Sequence, residues 1–251
     1  MAQYDDIFFE YVNSGAIRSA KIVLPLLLNH LPVKSVLDVG CGQGAWLSAW
    51  HDLGVSEAVG IDGAYVNKTR LLCPKDAFVE HDLSKAFDLG RRFELVQSLE
   101  VAEHLPASST SGFVESLVRH GDMVLFSAAP PGQGGDHHVN EQDYEYWRAY
   151  FARQDYVPFD FLRPAVKSLI EIEPWYRYNS ILYVKRSEIE KIPPIVRESM
   201  IRDDQAIGDV SPLSYRLRKF LISMLPVSTM TSLAKLKERR IANQLQSKSI
   251  R

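Results

Sequence analysis

Residues 130–142 read PPGQGGDHHVNEQ, an elbow that cannot continue a strand because Gly and Pro break it. It delivers Asp136, His137, His138, Asn140 and Glu141 in quick succession, side chains suited to proton transfer or metal binding. Residues 97–105, QSLEVAEHL, hold a second group, Glu100, Glu103 and His104. If the chain turns helical there, the i, i+3, i+4 spacing puts all three on one side. With a histidine from the glycine elbow the set becomes two carboxylates and two imidazoles, donors that suit Mg²⁺, Mn²⁺ or Zn²⁺. The bland alternatives are plain. Asn140 caps a helix, Glu141 begins it, and the histidines are solvated. A helix-starting Glu can also simply favour the dipole. Adjacent residues of an extended chain point opposite ways, so only one of the two histidines is expected to face a site.

A third group sits in residues 36–46, VLDVGCGQGAW. Asp38, Gly40, Gly42 and Gly44 lie at a strand-to-helix turn, where glycines let the backbone approach a ligand closely. The spacing is G-x-G-x-G with an acid two residues before the first Gly, not the G-x-G-x-x-G of dinucleotide sites. A pyrophosphate would be repelled by that carboxylate, whereas a cationic amino-acid group would be held.

These groups need elements to position them. Apolar runs at 35–40, 57–62, 76–82, 93–100 and 122–129 alternate with helix-like stretches. Helices are expected from about Gln43, over Tyr65–Leu72, over Ser109–Arg119, and from an Asn140 cap onward. YVPFDF (156–161) and NSILYVK (179–185) close the series as strands. Such alternation means a largely parallel sheet covered on both faces. Ligands in such sheets lie beyond the carboxyl ends of the strands, so Gly40, Asp62, Asp82, Glu100 and the 130–142 elbow converge on one cleft. Residues 1–30 read as a helical segment, with Pro25 expected to kink or restart it. Residues 31–186 form the sheet domain and 187–251 a basic, helical extension.

The composition fits this organisation. The 251 residues are 46% apolar and 24% charged, enough to bury a sizeable core. Two cysteines, Cys41 and Cys73, exclude a disulfide framework. No signal peptide is read and Ile22–Leu28 is too short to span a bilayer, so a cytoplasmic location is expected. The net charge of -2 hides an asymmetry: residues 212–251 carry nine Lys/Arg and one Glu, leaving residues 1–211 at -10. An acidic body argues against a DNA-binding face. In the extension, apolar residues 213, 217, 220, 221 and 224 share one helical face. Packing of this helix on the domain or on a second copy is the leading expectation; contact with an anionic membrane at the inner face of the cell is the other. SLAKLKERRIANQL (232–245) reads as a weaker second helix. Tyr144, Trp147, Tyr150 and Phe151 read as core aromatics, while EPWYRYN (173–179) either lines an acceptor pocket or turns between elements.

The glycine loop and the successive strand ends resemble the class I S-adenosylmethionine-dependent methyltransferases over roughly residues 31–186. The resemblance implies a Rossmann-like, seven-stranded, mostly parallel α/β sheet, with an N-terminal helical lid and a C-terminal helical extension. It implies cofactor contacts at Asp38, Gly40, Gly42, Gln43 and Gly44 near the methionine end, Asp62 at the ribose diol, Asp82 and Leu83 at the adenine, and Leu99 beside them. Glu100, Glu103, His104 and a later histidine are similar to the pattern of metal-dependent O-methyltransferases acting on small RNA or in the ubiquinone pathway, and there the metal set would be Glu100, Glu103, His104 and His138. The stretch HHVNEQ before an aromatic helix resembles bacterial methyltransferases of glycans and secondary metabolites. That resemblance favours His138 over His137 as the base, with Glu100 orienting the acceptor. The expected reaction is O-methylation of a sugar hydroxyl, the alternatives being N-methylation of an amino sugar or small amine, or a non-catalytic cofactor-binding module. The expected partners are a small-molecule or glycan acceptor and, for assembly, a homodimer.

Overall fold

A computed structural model describes the backbone of residues 2–225 and Thr229, with side chains from Val12 onward. The stretch 232–245 lies outside the described residues. Seven strands form one sheet: β1 (Ser35–Val39), β2 (Glu57–Asp62), β3 (Phe78–Glu80), β4 (Leu95–Leu99), β5 (Met123–Ser127), β6 (Tyr156–Phe159) and β7 (Ile181–Lys185). Their order is β3-β2-β1-β4-β5-β7-β6. The pairs from β3 to β5 are parallel, and β7 runs antiparallel to both β5 and β6. The strand order reverses between β1 and β4, which opens a crevice at their carboxyl ends.

The helices are α1 (Ala2–Leu28), α2 (Ala45–Asp52), α3 (Thr110–His120), α4 (Tyr144–Arg153), α5 (Leu162–Val166), α6 (Pro174–Asn179), α7 (Pro194–Arg197) and α8 (Leu213–Ser223). One apolar layer joins α1 and α2 to the sheet through Ala20, Leu24, Leu27, Leu47, Trp50 and Val36; the other packs Phe113, Leu117, Trp147 and Phe151 against Leu37, Val96 and Phe126. The core role expected for Trp147 and Phe151 holds, with the Phe151 ring stacked on Tyr183 at 3.9 Å between centroids.

Three local expectations are corrected. Helix α1 continues through Pro25 without restarting, with Val23, Leu24 and Leu27 buried on either side of it and proline removing only one donor near the helix end. Residues 65–72 form no α-helix but a single 3₁₀ turn at Lys68–Arg70, since the segment has no apolar stripe to bury. Asp143, not Asn140, caps α4, accepting from Tyr146 N at 2.8 Å. Asn140 is held elsewhere, its backbone N–H on the Glu103 carbonyl at 3.0 Å.

One buried ion braces the sheet edge nearest the crevice. Arg163 is fully buried, donates to both Asp160 oxygens at 2.7 and 2.8 Å and reaches the Tyr178 carbonyl at 3.2 Å. Its planar fork suits that geometry. Replacing Arg163 by Ala should cost about 3–5 kcal/mol by stranding Asp160, measured as a lower urea midpoint with an unchanged slope.

Candidate active site

The carboxyl ends of β1, β2 and β4 open on a cavity of about 1460 Å³. An ordinary small-molecule site holds roughly 300–1,000 Å³, so this one has room for a cofactor and an acceptor together. Asp38, Gly40, Gly42, Asp62, Asp82, Leu83, Leu99, Glu100, Glu103, His104, His137 and His138 all contribute to its wall. Gln43 and Gly44 of the expected set do not. The Gln43 carbonyl oxygen of the side chain accepts from Asn13 of α1 at 2.7 Å, and Gly44 abuts the Cys73 side chain.

The end of β1 is built for a cation. Asp38 is buried, its Oδ2 has no hydrogen-bond partner among the described residues, and burial pushes its carboxyl up to about 7, the nearby Gln97 amide offsetting part of the rise. The loop beyond it separates a structural from a ligand-facing glycine. A side chain at Gly40 would collide with Val101, whereas one at Gly42 would meet nothing within 4 Å. Gly42 is therefore the position where the backbone is left bare toward the cavity. Asp62 at the end of β2 accepts from Gly42 N and Gly63 N, both at 2.6 Å, and from the Tyr65 hydroxyl. Asp82 is exposed and caps its own turn, accepting from Ser84 Oγ at 2.6 Å and Ser84 N at 3.1 Å. The Ser84 hydroxyl bond is the main reason its carboxyl is held below the usual value.

The acids after β4 do not share one helical face. Glu100 has φ 60° and only Ala102–His104 form a 3₁₀ turn, because the Glu100 backbone N–H turns back to the Ser127 carbonyl at 3.0 Å. The two carboxylates part company. Glu100 accepts from Gln133 Nε2 at 2.5 Å and Asn179 Nδ2 at 3.2 Å, tying β4 to the glycine elbow and to the residues before β7. Glu103 is fully buried with neither carboxyl oxygen partnered among the described residues. Burial and the Glu100 charge raise its carboxyl well above the usual value.

Glu103, His104 and His138 bring one donor atom each within 4.8 Å of one another. Glu100 is absent from that group, its oxygens being taken by two amides. The three that converge offer one oxygen and two nitrogens, a donor set that fits a divalent transition metal. His104 is exposed toward the cavity, and partial desolvation by the surrounding protein together with the neighbouring His138 holds its imidazole below the usual value. The two histidines of the elbow diverge. His137 takes φ 54° and its side chain is 78% exposed, beside Asp136 at 3.5 Å. His138 turns inward, its side chain 11% exposed, and its Nδ1 meets Glu141 Oε1 at 2.8 Å. The ring stands edge-on to His104 with centroids 4.8 Å apart.

Sequence reasoning missed several residues here. Glu141 was readable only as a helix-starting acid, yet it also accepts from Gly132 N and Gly134 N at 2.8 Å each. Gln133 and Asn179 carry no motif, although Asn179 ends the EPWYRYN stretch, of which Glu173, Pro174, Trp175 and Tyr176 do line the cavity. Tyr215 and Arg218 of α8 line it as well.

A family model described as a methyltransferase domain matches residues 12–158, more than half of the chain, and the protein belongs to the class I S-adenosylmethionine-dependent methyltransferases. Among solved structures, DesVI of Streptomyces venezuelae is 15% identical with a TM-score of 0.56, over 73% of this chain and 98% of that one. The sugar N-methyltransferase KedS8 of a Streptoalloteichus species is 17% identical with a TM-score of 0.55, over 72% and 92%. The glycopeptide N-methyltransferase MtfA, complexed with S-adenosylmethionine, is 24% identical with a TM-score of 0.38, over 45% and 55%. The chain thus spans little more than half the length of MtfA. The likenesses to DesVI and KedS8 are of fold. No curated protein sequence matches the chain.

Two titrations follow from the buried acids. If Asp38 holds the ammonium group of S-adenosylmethionine, it does so in its ionised form, and affinity should rise with pH through about 7 and flatten above it; calorimetric titration of Asp38→Asn should then show weaker binding without that rise. For Glu103, the folded state keeps a proton that the unfolded chain releases near its ordinary value, so its contribution to stability falls as pH increases. With a chelator present, Glu103→Gln should melt at least about 3 °C above the parent near pH 8 and level with it near pH 4.

Proposed function

We propose that the protein transfers the methyl group of S-adenosylmethionine to a hydroxyl of a sugar, in a glycan or a glycosylated small molecule. The observation that carries this reading is His138, which lines the cavity with its Nδ1 held by Glu141. An alcohol must lose its proton as the methyl arrives, and an oriented imidazole is the usual base for that. With Nδ1 on the Glu141 carboxylate, Nε2 of His138 is the nitrogen free to take the hydroxyl proton. The O–CH₃ bond forms as the S–CH₃ bond breaks, and S-adenosylhomocysteine leaves neutral. Glu141 then stabilises the imidazolium, as a carboxylate behind a catalytic histidine does.

Asp38 would hold the ammonium end of the cofactor and Asp62 its ribose hydroxyls, two acceptor oxygens suiting a vicinal diol. Asp82, Leu83 and Leu99 would lie about the adenine. Trp175, which lines the same cavity, offers an aromatic face on which a sugar ring can stack. If a divalent cation is used, Glu103, His104 and His138 would hold it, and it would acidify the acceptor hydroxyl.

A second reading, N-methylation of an amino sugar, draws support from Glu103. A buried carboxylate with unpartnered oxygens is a natural neighbour for an amino group, and KedS8 is described as a sugar N-methyltransferase. An amine needs less of a base, so the two readings respond differently to the same substitution.

The test is transfer of label from methyl-labelled S-adenosylmethionine to nucleotide sugars, lipid-linked glycans, small amines and RNA, with and without chelator. His138→Ala should lower turnover on a hydroxyl acceptor by about 10²–10⁴-fold while cofactor affinity stays within about twofold, and Glu141→Gln should fall between. Label on an amine with His138→Ala near parental rate would establish the second reading. Cofactor binding with no label in any fraction would mark a non-catalytic module.

A further inference from the structure

Helix α8 packs on the domain with its polar face, not its apolar one. Lys219 is buried against Asp209 at 2.6 Å, Arg216 donates to the carbonyls of Ser211 and Asp209, and Arg218 reaches the Gln133 carbonyl at 3.4 Å. Gly132 of the elbow lies directly beneath the Lys219 carbonyl, leaving no room for a side chain. These polar anchors turn the apolar stripe outward. Leu213, Leu217, Phe220, Leu221 and Met224 are 56–79% exposed, and no other described segment exposes five large apolar residues at helical spacing.

At 100° per residue the five span about a third of the helix circumference, with Arg216 on one flank and Arg218 on the other. A further 26 residues follow, from Pro226 to Arg251, carrying six Lys/Arg against one Glu. The rest of the chain is acidic. An apolar stripe flanked by cations and continued by a basic segment is the chemistry that recognises an anionic bilayer, which accepts the stripe below its headgroups and holds the cations at its surface. A second copy of the chain would meet the stripe with the same sign of charge on its flanks. Among the described residues no helix is long and apolar enough to cross a membrane, so the contact is peripheral.

We propose that the outer face of α8 docks on an anionic lipid bilayer and that the acceptor reaches the cavity from that surface, as a glycan on a lipid carrier. This rests on the glycan reading above and adds to it. The inner face of the same helix supplies Tyr215, Arg218 and Ile222 to the cavity wall, so the docking face and the acceptor site lie on opposite sides of a single helix. A carrier lying in the bilayer would then present its head group at the rim of the cavity without leaving the lipid.

The experiment is sedimentation of the full chain with vesicles of phosphatidylcholine alone or with about 30 mol% phosphatidylglycerol, comparing the parent with Leu217→Ser/Phe220→Ser. Both positions are exposed, and retained cofactor affinity would show the variant folded. Binding that requires phosphatidylglycerol and weakens at least about tenfold in the variant would support docking through α8. Equal binding of parent and variant would assign the attraction to the basic segment alone and overturn it. A parental dimer in light scattering that the variant dissolves, without vesicle binding, would give the face to a second copy and overturn it as well. Methyl transfer is read separately on soluble nucleotide sugars and on a lipid-linked glycan in the vesicles. Docking without label on any glycan refutes the acceptor reading and leaves the membrane contact standing; label on soluble sugars without docking does the reverse.

Discussion

The carboxylate of Glu141 is shared among three donors: the backbone amides of Gly132 and Gly134 and the Nδ1 of His138. A glycine-rich elbow has more conformational freedom to lose than any other kind of segment, and without a common acceptor it would sample many paths over the cavity. Here one side chain, itself fixed just ahead of α4, fixes the path and the histidine at once. The carbonyl of Glu103 holds the far end of the same elbow through the amides of Val139 and Asn140. Gln133 reaches from its middle to Glu100. The acid–histidine cluster and the cavity roof therefore stand on one network, in which each acid after β4 has a separate task.

That network explains why two acids three residues apart in sequence behave differently. Glu100 leaves β4 in the left-handed region and meets two amides, which join three segments and offset part of the rise that burial imposes on its carboxyl. Glu103 comes off a 3₁₀ turn into the same interior and meets none. Burial of an unpartnered carboxyl is costly, and such cost is retained where a ligand, a proton or a cation completes the site. Asp38 is the same case at the end of β1. The cleft thus holds its least satisfied carboxyl groups at the points where chemistry is expected.

Much of the fold was legible because continuous apolar runs of five or six residues with turn residues between them have few other outcomes. The strand ends carrying Asp38, Asp62, Asp82 and Glu100 could be placed on one edge for the same reason. What was not legible depended on distant partners. Asn140 and Asp143 are equally good caps in isolation, and the choice between them was made by Glu103 drawing Asn140 into the loop. The spacing of Glu100, Glu103 and His104 suggested a helix face, but the β5 residue Ser127 bends the chain before a helix can start. The stripe on α8 was visible, yet its orientation was set by Lys219, Arg216 and Arg218, whose partners lie in other segments. Local spacing announces that a face exists; long-range polar contacts decide which way it looks.

Tyr65 gives the cofactor site a different character from a preformed socket. Its ring is largely exposed while its hydroxyl sits on the Asp62 oxygen, the same oxygen that also accepts from Gly63. If Asp62 takes the ribose diol as proposed, the diol does not fill an idle acceptor; it exchanges one hydroxyl for another. The net gain at this position is the difference between two similar bonds, so tight capture has to come from the rest of the cofactor, and release is assisted by a resident replacement that can return to the vacated oxygen. Such an arrangement favours turnover over retention, which is what an enzyme needs from a cosubstrate it must discard after every cycle.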